Sequence, residues 1–99
     1  MQAHYPARFE REMGCTEAEW LMWLPAAVGR EALQPEGGCL SLKLDVGTLR
    51  LNWRTGEPRR IAGITLPRLH VEFAFEGLDD TQRLHFMRRF DLYMQRGGG

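Results

Sequence analysis

Lysine is almost missing from this chain: of thirteen basic residues twelve are arginine, and Lys43 stands alone. A bias of that kind can follow the base composition of a genome, so it identifies no activity. Excess charge is missing too. Thirteen acidic side chains balance the thirteen basic ones, neither half departs far from neutrality, and without a basic stripe there is no electrostatic case for DNA or RNA. No window approaches the roughly 18 consecutive apolar residues of a membrane span. Nor does the N-terminus join a basic region to an apolar run, as a secretory leader does, so the chain reads as cytoplasmic and without a membrane partner. Cysteine is scarce. Cys15 and Cys39 are the only two, they form no Cys-x-x-Cys, and in a reducing compartment they are expected as small buried residues and not as a bridge.

The local motifs of catalysis are also absent. His4, His70 and His85 are the only histidines, and no two lie three or four residues apart, the spacing that sets two ligands on one helical face. No metal site is expected. Gly37, Gly38 and the terminal glycines match no phosphate-cradling loop, and there is no Gly-x-Ser-x-Gly elbow, so no cofactor is expected either.

What is present suits one modest core. With 99 residues, 43% of them hydrophobic and ten aromatic, the chain fits a single domain over 1–96, followed by a disordered glycine tail at 97–99. From Leu69 the residues alternate, with Leu69, Val71, Phe73 and Phe75 on one face and His70, Glu72, Ala74 and Glu76 on the other, the period of a half-buried strand. Ile64 and Leu66 fall in the opposite phase. Pro67 sits at the change, which predicts a bulge or bend at Pro67 and Arg68.

Helices are expected at both ends. Thr16 and Glu19 form a capping box, after which Trp20, Leu21 and Leu24 share a side with Trp23 at its flank, until Pro25 stops or kinks the helix. Met1 to Met13, before it, reads as a partly ordered lead-in, and Ala26 to Gly38, after it, as a connector. A second helix starts at Asp79 or Asp80 and runs to Arg96, with Leu84, Phe86, Met87, Phe90, Tyr93 and Met94 on its apolar arc and Leu92 misplaced on the polar side.

Between them, Leu40 to Val46 and Leu49 to Arg54 alternate as a hairpin. A two-residue turn at Val46 and Gly47 sets Leu44 opposite Leu49, Leu42 opposite Leu51 and Leu40 opposite Trp53, unless the turn is bulged. After a reversal at Thr55 to Pro58, Ala62 would then face Leu51 and Ile64 would face Leu49. The expected fold is α+β, a two-layer sandwich in which an antiparallel meander of three to four strands carries both helices on one face, in α-β-β-β-α order.

Two functions follow from different classes. The first is a small non-enzymatic protein-interaction or accessory module that forms a homodimer. Leu69 to Phe75 runs past the end of its neighbour, and an uncovered strand edge pairs with a second copy, giving an interface of Leu69, His70, Val71, Glu72 and Phe73 with exposed Leu92. The bend at Pro67 could instead swing that strand onto the free edge of Leu40 to Val46. The second is a small-molecule binder or simple enzyme with a cavity lined by Trp20, Trp23, Phe73, Phe86 and Tyr93. Its reactive group would be Cys15, at a helix N-terminus, or His70 beside Glu72, although such neighbours lie about 7 Å apart on a strand and no nucleophile accompanies them.

Overall fold

Alternation decides which side of each strand is buried, and the computed structural model, which describes residues 4–30 and 33–96, follows it throughout the main sheet. The elements run β1 (Arg8–Met13), α1 (Glu17–Val28), β2 (Cys39–Lys43), β3 (Thr48–Thr55), β4 (Arg59–Ile61), β5 (Ile64–Leu66), β6 (Leu69–Glu76) and α2 (Asp80–Arg96). The expected glycine tail at 97–99 lies outside the described residues. Four strands form an antiparallel sheet in the order β1-β6-β3-β2, while β4 and β5 pair only with each other. The inward row of β6, Leu69, Val71, Phe73 and Phe75, is buried. Trp20 of α1 packs on Trp53 of β3 and on Phe90 of α2, and Phe90 meets Phe73 edge-on at 5.3 Å, so both helices cover one face of the sheet. This is the α+β class expected from the sequence.

The segment taken for a lead-in is a strand. β1 pairs along its length with β6, from Arg8 opposite Ala74 to Met13 opposite Leu69. Phe9, Arg11 and Met13 face inward, and the charge at Arg11 is what hid the alternation. Arg11 Nη1 donates to Asp91 Oδ1 at 2.6 Å, and the Tyr5 hydroxyl donates to Asp91 Oδ2 at 2.9 Å. The Arg11 guanidinium also lies 5.4 Å from the centre of the Phe73 ring, near enough for cation–π attraction. From the other side Arg83 Nε donates to the Tyr5 carbonyl at 2.7 Å. The N-terminal segment is therefore tied to α2 at two points.

β1 removes the premise of the expected homodimer. β6 has β1 on one edge and β3 on the other, from Thr48 opposite Glu76 to Thr55 opposite Leu69, so neither edge of β6 is free. The slot assigned to Ala62 and Ile64 is likewise taken by β6: Phe73 faces Leu51 and Phe75 faces Leu49. The reason is buried area, since two phenylalanines remove far more apolar surface from water than an alanine and an isoleucine. Pro67 and Arg68 separate β5 from β6, so the expected bulge or bend within one strand is a break between two sheets.

Two local readings shift as well. Leu42 opposes Leu49 and Leu40 opposes Leu51, so the β2–β3 turn spans Leu44 to Gly47 and is longer than the two residues expected, although every leucine keeps its face. Gly47 has φ 75° and Gly77 φ 83°, and a Cβ on Gly77 would lie 3.0 Å from the Gly47 Cα. Only glycines let these two turns touch. The Thr16 capping box is present, with Glu19 N–H donating to Thr16 Oγ1 at 3.1 Å and Thr16 N–H to Glu19 Oε1 at 2.9 Å. Pro25 does not stop α1, which continues to Val28 and closes at Gly29. The carbonyl that loses its donor belongs to Leu21, on the exposed flank at 37% exposure, where water can replace the missing bond. At the second helix Asp79 caps and Gln82 returns the bond, both at 2.8 Å.

Because Asp91 holds both Tyr5 and Arg11, Asp91→Ala is expected to cost about 2 kcal/mol, the range for hydrogen bonds to a charged group. Asp45→Ala, an exposed site on the β2–β3 turn, is expected to stay within about 0.5 kcal/mol. Urea titration of both variants checks this; equal midpoints would show that the N-terminal strand is not held through Asp91.

Candidate functional site

The aromatic cavity expected from the sequence is not assembled. Trp20 and Phe73 are fully buried in the core, and Trp23 packs half-buried against it. Phe86 and Tyr93 sit apart, in two neighbouring surface grooves. Among the described residues the Trp20 indole N–H is the one buried side-chain polar atom without a partner, whereas Trp53 Nε1 donates to Glu17 at 2.8 Å and so ties β3 to the start of α1.

The residues assigned to an interface divide by face. Leu69, Val71 and Phe73 point into the core, while His70 and Glu72 lie half-buried on the outer side of the sheet, and Leu92 is exposed on α2. On the outer side, Glu10, Glu72 and Asn52 stand in register across β1, β6 and β3, as do Glu12, His70 and Arg54. All of these except Glu12, together with parts of Trp53 and Val71, line a shallow cleft of about 110 Å³. A Cβ on Gly56 would lie 2.6 Å from the His70 ring, so the imidazole rests on that backbone. No serine, threonine or cysteine lines the cleft, which leaves His70 without a nucleophile to activate.

Cys15 is completely buried, and burial, with Glu19 nearby, pushes its thiol above the usual range. That is the reverse of an activated cysteine. Neither cysteine is in a disulfide, and Cys39, expected to be buried, is half-exposed at the start of β2. Among the described residues no group of three or more metal-ligating side chains comes together, and no helix is long and apolar enough to cross a membrane.

Two features remain. One is the β4–β5 hairpin, whose register sets Ile61 opposite Ile64 and Arg59 opposite Leu66. Side chains opposite one another share a face, as do those two apart along a strand, so Ile61, Ile64 and Leu66 lie together on one side. They are 51%, 60% and 43% exposed. The turn at its tip has positive φ at both Ala62 (51°) and Gly63 (82°), the geometry of a tight two-residue hairpin turn. Ala62 is the sole described non-glycine residue so placed. The other feature is a groove of about 380 Å³ between the end of α1, the β2–β3 turn and α2. Gln82, His85, Phe86 and Arg89 supply its α2 wall at spacings of three and four, one helical ridge.

Sequence reasoning missed both. The spacing of Ala62, Ile64 and Leu66 assigns them to the main sheet, and the groove joins segments that no local pattern links.

The Tyr5 hydroxyl, like the Cys15 thiol, ionises less readily folded than unfolded, raised first by burial and then by Asp91. As pH climbs past the ordinary thiol value of 9.0, the unfolded chain releases protons before the folded one does. Stability is therefore full below that value and falls above it. The urea midpoint is expected to drop between pH 8 and pH 10.5, and less steeply in Cys15→Ala. A flat profile, or an unchanged slope in the variant, would contradict the burial of this thiol.

No family model matches the chain, and no curated protein matches it.

Proposed function

We propose that the protein is an accessory module that works through protein contacts, with the β4–β5 hairpin as its docking element. The observation that carries this is the face formed by Ile61, Ile64 and Leu66, which accounts for three of the seven large hydrophobic residues exposed on the described surface. A two-stranded hairpin is marginally stable in water, and this one is not hydrogen-bonded to the main sheet. Apolar side chains gathered on a projecting element gain free energy by entering a partner's cleft.

Charge describes that partner further. Between Arg54 and Arg68 there are four arginines and one acidic residue, Glu57. The fitting surface is an apolar cleft rimmed by carboxylates. A second copy fits poorly, because its own groove is lined by Arg30 and Arg89, which would meet the arginines that flank the hairpin. The free edges of the sheet do not invite self-pairing either. β1 carries four charges in six residues, and edges of that kind resist addition of a strand.

The test compares the native chain with an Ile61→Ser, Ile64→Ser double variant. Both positions are exposed, so the thermal midpoint is expected to hold, while one stoichiometric partner captured from the source cell is lost. Purified partner is then expected to bind the native chain and a Leu92→Ser control alike, and light scattering of the native chain alone is expected to give a monomer mass. Retention of the partner by the double variant would overturn the proposal.

A further inference from the structure

The groove between α1, the β2–β3 turn and α2 is built of two kinds of surface. Val28, Leu44, Leu78 and Phe86 supply apolar walls, whereas Arg30, His85 and Arg89 face Asp45 as the lone acid of the lining. Both guanidiniums are held in place by neutral groups. Arg30 Nη2 donates to the Lys43 carbonyl. The Arg89 guanidinium lies over the Tyr93 ring at 4.8 Å, and its Nη2 is 3.4 Å from where a Cβ on Gly29 would stand. None of the ion pairs among the described residues includes either arginine. Two positive groups therefore border an apolar hollow, neither of them in an ion pair among the described residues, and with Asp45 as its single acid the lining keeps an excess of positive charge. The Tyr93 side of Arg89 opens into a second hollow of about 230 Å³, which shares Gly29, Arg30 and Arg89 with the first.

We propose that this groove binds a small amphipathic carboxylate, its head between Arg30 and Arg89 and its tail over Leu44, Leu78 and Phe86. A guanidinium presents paired donors that match a carboxylate, and it is less strongly hydrated than an ammonium, so it binds an anion beside an apolar wall at smaller desolvation cost. The volume, about 380 Å³, lies in the range of small-molecule sites. A bare inorganic anion would leave the apolar wall in water, and a neutral lipid would leave the arginines without a partner. This site is separate from the β4–β5 hairpin and does not depend on the role proposed for it.

The experiment is a heteronuclear NMR titration with octanoate as the probe, octanamide as its neutral analogue and acetate as the head without a tail. Octanoate is expected to shift the amides of Gly29, Arg30, Val46, Leu78 and Arg89 saturably, and to bind at least about tenfold more tightly than octanamide or acetate. Arg89→Gln is expected to weaken octanoate about tenfold. Arg30→Gln is expected to do the same, and an unchanged urea midpoint in both variants separates loss of the guanidinium from damage to the fold. The proposal is overturned by non-saturable shifts, by shifts centred elsewhere, by equal affinity for octanoate and octanamide, or by full affinity in both variants.

Discussion

Backbone groups enclosed beside an apolar core must be hydrogen-bonded, and β6 is where that requirement governs this protein. Its inward row, Leu69 to Phe75, forms the floor of the core, so the strand cannot lie at a solvent edge without exposing amides beside its most apolar surface. β3 fills one edge and β1 the other. The rest follows from how each is delivered. β3 arrives through the hairpin with β2, and β1 comes from the N-terminal segment, secured by Asp91 and Arg83 of α2. The chain between β3 and β6 is then surplus to the sheet, and it projects as the β4–β5 hairpin.

The sheet is closed at its new edges by charge and by local caps. β1 presents Arg8, Glu10 and Glu12 outward and holds its fourth charge, Arg11, half-buried against aromatic rings. On β2, Glu36 exchanges two hydrogen bonds with Cys39, at 2.9 and 3.0 Å, and Arg30 covers the Lys43 carbonyl. Arg30 thus guards an edge and lines the groove at once. With the edges closed and the core filled, the features left for recognition are the hairpin's aliphatic face and the groove between the helices' ends and the β2–β3 turn.

Much of this was legible in the residues. The alternation of β6, the leucines of β2 and β3, the Thr16 box and the apolar arc of α2 depend on local spacing, which a sequence displays. β1 was hidden because its inward position 11 is an arginine, and the cation is tolerated there only through Asp91, eighty residues away. Ala62 and Ile64 misled for the converse reason: their stretch carries a strand's composition, but β6 takes the same slot with larger side chains. The candidate site was less legible than the fold. Phe86, expected in a cavity between helices and sheet, lines a different groove, where Arg30, Arg89 and Leu44 join it from separate elements, and convergence of that kind leaves no mark on periodicity. Trp20 and Phe73, chosen for size, went to the core, as large aromatics usually do.

The central claim, that β1 completes β6, is open to amide hydrogen exchange. The Phe75 N–H donates to the Ala7 carbonyl at 2.7 Å, and antiparallel alternation then directs the amides of Leu69, Val71 and Phe73 to β1 and those of His70, Glu72 and Ala74 to β3. Exchange resolved by residue is expected to show both sets comparably slow along the middle of β6. Fast exchange at Val71, Phe73 and Phe75 beside slow exchange at His70, Glu72 and Ala74 would mean that the β1 edge is open, and would contradict the account.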